Sequence, residues 1–257
     1  MIKSLFSGIT ALRVNTEVLG VIGDNIANVG THGFKGGRLD FANLLNQSTG
    51  GYNGQEVGCG VSLGNLSRDW TQGSVQKTSN VTDLAVNGNG FFVMKDVTSG
   101  AEYYTRAGIF HFDQDGYLVD NNGYRVQGTT GDIQDTTASS TVSVSISGSG
   151  LIKTYGSGDT TGTERGTIAL ATFPCNWGLA AMDRNLYSPT NLSGSADLGE
   201  PGGDGKGVVS CYSLEMSNVD LATEFGKMIT TQRSFQAAAK VITASDEILQ
   251  QLLGIKR

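Results

Sequence analysis

The chain has 257 residues, enough for one large domain or two small ones with a substantial core. Its formal net charge of −6 leaves no basic surplus to neutralise phosphates, which argues against a general nucleic-acid binder. Only 16% of residues are charged and 37 are Gly against 3 Pro, a balance that favours strands joined by tight turns.

From the N-terminus, Ile2, Leu5, Ile9, Leu12, Leu19 and Ile26 recur at alternating steps of three and four, with Thr16 and Gly23 completing the line. That is an a/d seam of the coiled-coil kind, with Lys3, Arg13, Asn15, Glu17 and Asp24 on the opposite face. Ser7, Gly8, Thr10, Arg13, Asn15 and Glu17 interrupt the apolar run. The spacing therefore predicts neither a cleavable signal peptide nor a transmembrane helix, and the segment is expected to be kept, without membrane insertion. The helix is expected to end in the Asn- and Gly-rich stretch NIANVGTHGFK, within an N-terminal helical segment over residues 1–46.

The period then falls to two. The stretches NGNGFFVMKD, AEYYTRAGIFHFD, GYLVDNNGYRVQG, TVSVSISGSG and GTIALATF are aromatic or β-branched and bounded by Gly, Asn and Asp. Asp115-Gly116 and Asn122-Gly123 are hairpin-turn dipeptides. These features predict a central antiparallel all-β domain over residues 47–213, with Gln47–Glu56 and Ser193–Gly207 as flexible connections.

The C-terminal segment, residues 214–257, repeats the helical seam more strongly. Leu221, Phe225, Met228, Phe235, Ala239, Ile242, Leu249 and Leu253 fall on one line, and Leu221, Met228, Phe235, Ile242 and Leu249 are apolar at every seventh position. Ser217 and Asn218 stand as N-cap candidates, Asp220 and Glu224 suit the helix N-terminus, and Lys256 and Arg257 suit the other end. A helix from Val219 to Leu253 is roughly 50 Å long, longer than a small core needs. The fold class expected is thus mixed: long terminal α-helices paired in a coiled-coil-like domain around an all-β centre. Each seam side chain buried is worth roughly 1.5–3 kcal/mol, so the simplest partners of the two seams are each other and neighbouring subunits.

No catalytic or ligand-binding constellation survives inspection. Cys59, Cys175 and Cys211 are far apart and His32 and His111 lack metal-ligand spacing, so no metal is expected. DQDGYLVDNNG has its Gly fourth and Tyr124 at the twelfth place, where an EF-hand loop needs Gly sixth and Glu twelfth. GSGLIKTYG lacks the phosphate-cradling order, no nucleophile pairs with a base, and no pair of carboxylates reads as a tuned acid and base. No cofactor is expected and the chain is not expected to be an enzyme. Two rival readings, a secreted β-rich adhesin and a peptidoglycan hydrolase, leave the matched terminal seams or the missing acid/base pair unexplained.

Four quoted blocks carry a family resemblance. LGVIGDNIANVGTHGFK followed by RLDFANLL, TQGSVQKTSNVTDLAVNGNGFFVM, YTRAGIFHFDQDGYLVDNNGYRVQG and the C-terminal helix from SNVDLATEF to LLGIKR resemble, in order, the signatures of bacterial flagellar rod and hook proteins. Asp24 and Gly30 stand where that pattern has Asn, and Gly36-Gly37 where polar residues are common. The resemblance implies a homopolymer, with the terminal helices forming an inner tube and the β domain outside it. It also implies passage through the flagellar type III export apparatus and contacts with other axial proteins (rod, hook cap, hook-filament junction). The subunit interface is expected at Leu5, Ile9, Leu12, Leu19, Ile26, Asn28, Gly33, Phe34, Leu221, Phe225, Met228, Phe235, Ile242 and Leu249. The C-terminal blocks read closer to hook than to rod proteins, although the chain has no room for the additional outer domain usual in hook proteins. The expectation is a short hook protein, with a rod protein as the alternative.

Overall fold

The computed structural model describes residues 2–44, 47–48, 56–135, 141–156 and 161–255. It is mostly β with one long helix at each end: α1 spans Ile2–Ala27 and α2 spans Leu221–Ile255. The chain divides into two units. One gathers Met1–Val29, Gly36–Asp69 and Val219–Arg257; the other gathers Gly30–Lys35 and Trp70–Asn218.

In the helical unit, α1 packs on α2 and on an antiparallel hairpin of Gly37–Asn43 with Val61–Arg68. The register runs from Gly37↔Arg68 to Asn43↔Val61, with a bulge between Leu39 and Phe41, and a short rung continues it from Gln47↔Val57 to Ser48↔Glu56. These strands join the helices rather than the β centre, so the expected boundary between residues 46 and 47 falls instead between Asp69 and Trp70. The reason lies in Asn25, whose side chain bonds the backbone of Gly37 in both directions and ties the first strand to α1. Of the connection expected at Gln47–Glu56, residues 49–55 lie outside the described residues, as do Lys256 and Arg257 at the expected cationic end of α2. By length and composition alone α1 could cross a membrane, contrary to the expectation from its interrupted pattern; here it packs on protein.

The N-cap of α2 is Asp220, not Ser217 or Asn218. Its carboxylate accepts from the Ala222 N–H (3.2 Å) and the Thr223 hydroxyl (2.6 Å), while the Asn218 amide donates to the Thr71 carbonyl. Those bonds hold the Asp220 carboxyl below its usual pKa, the Thr223 hydroxyl being the largest cause.

The β unit is built around a sheet whose strands run in the order 180–181, 186–188, 102–105, 91–95, 125–128, 118–120, 110–112, all antiparallel. The pleat sends successive side chains to opposite faces. Phe92 and Met94 join Leu84, Phe110, Leu118 and Val126 in one core; Phe91 and Val93 join Tyr104 and Tyr187 in another. Turns at Asp113–Gly116 and Asp120–Gly123, each closed by a Gly N–H donating to an Asp carbonyl at 2.9 Å, realise the two predicted reversals. A three-stranded meander of Thr141–Ile146, Leu151–Gly156 and Thr163–Thr167 adds Ile146 and Ile152 to the first core.

The segment Ser193–Gly207 is not a loose connection. Asp197–Gly199 pairs with Leu170–Thr172, Ser193 is fully buried, and the buried Lys206 ammonium donates to Asp197 at 2.8 Å. Its Gly-rich composition serves tight turns between these anchors rather than length.

Candidate functional site

The terminal helices meet in one antiparallel register. Ser4 and Ser245 face each other (Oγ to Oγ, 3.4 Å), Gly8 lies against Ile242 and Ala238, and the Asn25 amide donates to the Glu224 carboxylate at 3.2 Å. A Cβ on Gly8 would sit 2.9 Å from Ile242 Cγ1, so glycine there lets the two backbones approach closely.

Buried positions on α1 are Gly8, Val14, Asn15, Ile22 and Asn25, whereas the expected seam line runs one residue later. Leu5, Leu12, Leu19 and Ile26 are half-buried and Ile9 is 48% exposed. On α2, Met228, Ile242 and Leu249 are half-buried, while Leu221, Phe225 and Phe235 are 40%, 48% and 37% exposed. The closest contacts between the helices are thus made by small and polar groups together with Ile242, and the apolar lines are at most half-buried beside them. What stays in solvent is apolar: Phe6 and Ile9 on α1, Leu221, Phe225, Ile229, Val241, Ile248 and Leu252 on α2, and Phe41, Leu63 and Leu66 on the hairpin. A soluble monomer rarely exposes so many large apolar side chains on one small unit, and such surface marks an interaction site.

Asn25 is the polar centre of this unit. It is 3% exposed; its amide donates to the Gly37 carbonyl (2.9 Å) and to Glu224, and its carbonyl accepts from the Gly37 N–H (2.8 Å). Glu224, equally buried, takes a second partner in Lys227 at 2.7 Å. Sequence reasoning placed Asn25 only as part of a motif, and Glu224 only as a helix-dipole residue. A buried polar position inside an apolar helix face was the signal available.

Past Ala27 the chain turns sharply. The Asn28 N–H and its side-chain amide both donate to the Asp24 carbonyl (3.0 Å each), and the amide also reaches the Asp24 carboxylate (2.9 Å). Asn28 thus closes the helix end, as a residue satisfying orphan carbonyls does.

In the β unit, Gly33 adopts φ +70°, donates its N–H to the Glu215 carbonyl (2.8 Å), and lies so close to the Arg106–Ala107 backbone that a Cβ would stand 2.5 Å from Ala107 N. Phe34 and Lys35 follow into the interior. Lys35 (1% exposed) donates to Glu215 Oε1 at 2.6 Å and to the Thr71 carbonyl at 2.7 Å. Glu215 (1% exposed) also accepts from Arg106 at 3.3 Å and from the Gly73 N–H at 3.0 Å. Arg106 also donates to the Gly88 carbonyl (2.8 Å) and lies over the Phe91 ring, 5.3 Å from its centroid. Burial pulls the Arg106 guanidinium below its usual pKa, with Glu215 opposing; a guanidinium stays charged through such a shift. One carboxylate thus joins the segment just after α1, the TRAG turn and the strand just before α2. Lys35 and Arg106 lay in the quoted motifs, but nothing in the sequence paired them with Glu215, far along the chain.

Residues 212–255 match the family described as Flagellar basal body rod FlgEFG protein C-terminal, and residues 85–154 match the Flagellar hook protein FlgE/F/G D1 domain. The chain is 38% identical to the flagellar basal-body rod protein FlgG of Bacillus subtilis (strain 168), over 100% of each chain. It is 36% identical to the protein of that name from Caulobacter vibrioides, over 97% of this chain and 96% of the relative. Similarity to the flagellar hook protein FlgE of Borreliella burgdorferi is 26%, over 443 aligned positions that cover 100% of each chain.

Proposed function

The chain belongs to the flagellar rod and hook protein family, and we propose that it is a structural subunit of the basal-body rod. The observation that carries rod over hook is the end-to-end match to rod proteins at 38% identity, against 26% to a hook protein that needs 443 aligned positions. The hook preference read from the C-terminal blocks gives way to this, because those blocks recur in both kinds of relative whereas chain length does not.

In this reading the chain has no chemistry to perform; its work is to polymerise and to bear torque. The two terminal helices pair in a coiled-coil-like manner within the subunit, and their exposed lines, with Ile9, Leu221, Phe225 and Phe235 as anchors, are covered by neighbouring copies. Leaving that surface in water would forfeit roughly 1.5–3 kcal/mol per large side chain, which supplies the drive to assemble. Asn28, Gly33 and Phe34 shape the passage out of α1 and act on the interface through it. Subunits reach the growing rod through the flagellar export apparatus and abut other axial proteins at its two ends.

The test is genetic and biochemical together. In cells lacking the gene, the full chain should restore basal bodies and swimming, and chains without residues 1–28 or 219–257 should not. The same truncations, purified, should retain the native tryptophan emission of Trp70 and Trp177, both in the β unit. Normal flagella built from either truncation would overturn the reading.

A further inference from the structure

We propose that Asn25 and Glu224 are positioning residues that help fix the register of the α1–α2 pair, alongside the close contact near its other end. Close approach is made by Ser4 and Gly8 on α1 and by Ala238, Ile242 and Ser245 on α2. Most of these side chains are small and chemically alike. Sliding one helix past the other by a turn would set Ser4 against Ile242 or Leu249, so packing disfavours the slip at this end too.

The other end of the pair is different. Glu224 is 6% exposed and receives the Asn25 amide at 3.2 Å, while the remainder of the Asn25 side chain is committed to both backbone groups of Gly37. Slipping Glu224 by one turn toward the start of α1 would set its carboxylate against Val21 and Ile22 and break its bond to Asn25. A buried carboxylate that loses a donor is disfavoured, even with Lys227 travelling beside it on the same helix. Slipping it the other way would carry it past Ala27, where α1 ends and where the Asn28 amide is already held by Asp24. Lys227 stays with Glu224 and Gly37 with Asn25 in any register, so what only the observed register supplies is the bond between Asn25 and Glu224. Fixing the register of a helix pair is the best-attested use of a buried polar position.

Because the register decides which side chains of α2 point outward, it decides which apolar line a neighbouring copy meets. That last consequence rests on the rod reading; the register itself does not.

The experiment is disulfide mapping in the full chain with Cys59, Cys175 and Cys211 replaced by Ser. Ser4→Cys is paired in turn with Cys at 242, 245 or 249, and the products are read by non-reducing gel and peptide mass spectrometry. Both the purified chain under mild oxidation and isolated basal bodies are tested. With Asn25 and Glu224 intact, the 4–245 link should dominate and run as an intrachain product. Glu224→Leu should lower the ratio of the 4–245 link to the one-turn links by at least about tenfold, the lower end expected for a charge-assisted bond. Glu224→Gln, which can still accept from Asn25, should restore it. Overturning results are a Glu224→Leu ratio equal to the parent's, a Gln variant no better than the Leu variant, or a parent 4–245 link that runs between chains. Should Glu224→Leu fail to fold, Asn25→Ser, which breaks the same bond with a small polar group, must produce the same redistribution or the proposal falls. Absence of the chain from basal bodies would refute the rod reading instead, and would leave the register measurement on the purified chain standing.

Discussion

Replacing Glu215 by Gln should destabilise the β unit far more than replacing Lys35 by Met, although each removes one member of the same cluster. Glu215 lies between two buried cations, and it accepts from Lys35 at 2.6 Å, Arg106 at 3.3 Å and the Gly73 N–H at 3.0 Å. Glutamine keeps the shape but leaves two positive charges without a counter-charge. Removing one partner of a buried pair costs about 3–5 kcal/mol. Lys35→Met instead leaves Arg106 and Glu215 as a matched pair and deprives the Thr71 carbonyl of one donor, a cost of about 1–2 kcal/mol. For a domain of this size each kcal/mol lowers the melting temperature by about 2–4 °C, so the expected shifts are roughly 6–20 °C and 2–8 °C. The two tryptophans of the chain, Trp70 and Trp177, both lie in the β unit, and Trp70 packs edge-on to Phe91 at 5.5 Å. Thermal unfolding followed by their emission therefore reports this unit without interference from the helices. A Lys35→Met shift as large as that of Glu215→Gln, or a Glu215→Gln shift below about 3 °C, would refute the charge argument.

Three further outcomes follow from the same geometry. Gly33→Ala should cost the β unit at least about 2–3 kcal/mol by the same emission assay, since the residue has φ +70° and a Cβ would strike the Arg106–Ala107 backbone; an unchanged melting temperature would contradict it. Acid should fray the start of α2: the Asp220 carboxyl, held below 3.8 by its cap bonds, stabilises the helix fully above that value and ceases to do so as the pH falls through its lowered folded-state pKa. Ellipticity at 222 nm should therefore drop at that end of the scale, and Asp220→Asn, which cannot titrate, should show a smaller drop. Finally, Phe235→Asp should abolish assembly and swimming while leaving the melting of the β unit within about 0.5 kcal/mol of the parent, because this side chain is 37% exposed in the helical unit; wild-type flagella from that variant would exclude it from the interface.

The β centre was legible because alternation and turn chemistry act locally: Phe91 and Phe92 point to opposite cores as a period of two requires, and the Asp- and Asn-Gly reversals lie where their dipeptides put them. Both helices were legible for the same reason. Which side chains each helix buries within the subunit was legible only in part, Met228, Ile242 and Leu249 being half-buried as their line suggests. The heptad lines rank side chains by apolarity, but the intrachain contact selects Gly8 and Ser4, where backbones can approach, and leaves Ile9 and Phe225 in solvent. Apolar pattern alone cannot separate a side chain buried within its own subunit from one held ready for a neighbour. The strand Val61–Arg68 groups with the helices rather than with the β centre because it pairs with Gly37–Asn43, which Asn25 ties to α1. Lys35, Arg106 and Glu215 escaped for a related reason: pairing over such separations depends on the finished fold and leaves no local pattern.

The central claim is that this chain is a rod subunit, and the most direct measurement is cryo-electron microscopy of basal bodies isolated with their hooks attached. The account predicts that density fitting the β unit and the paired terminal helices of this chain repeats along the straight axial segment that crosses the cell envelope. Finding that density in the curved segment outside the cell, and not in the straight one, would contradict it.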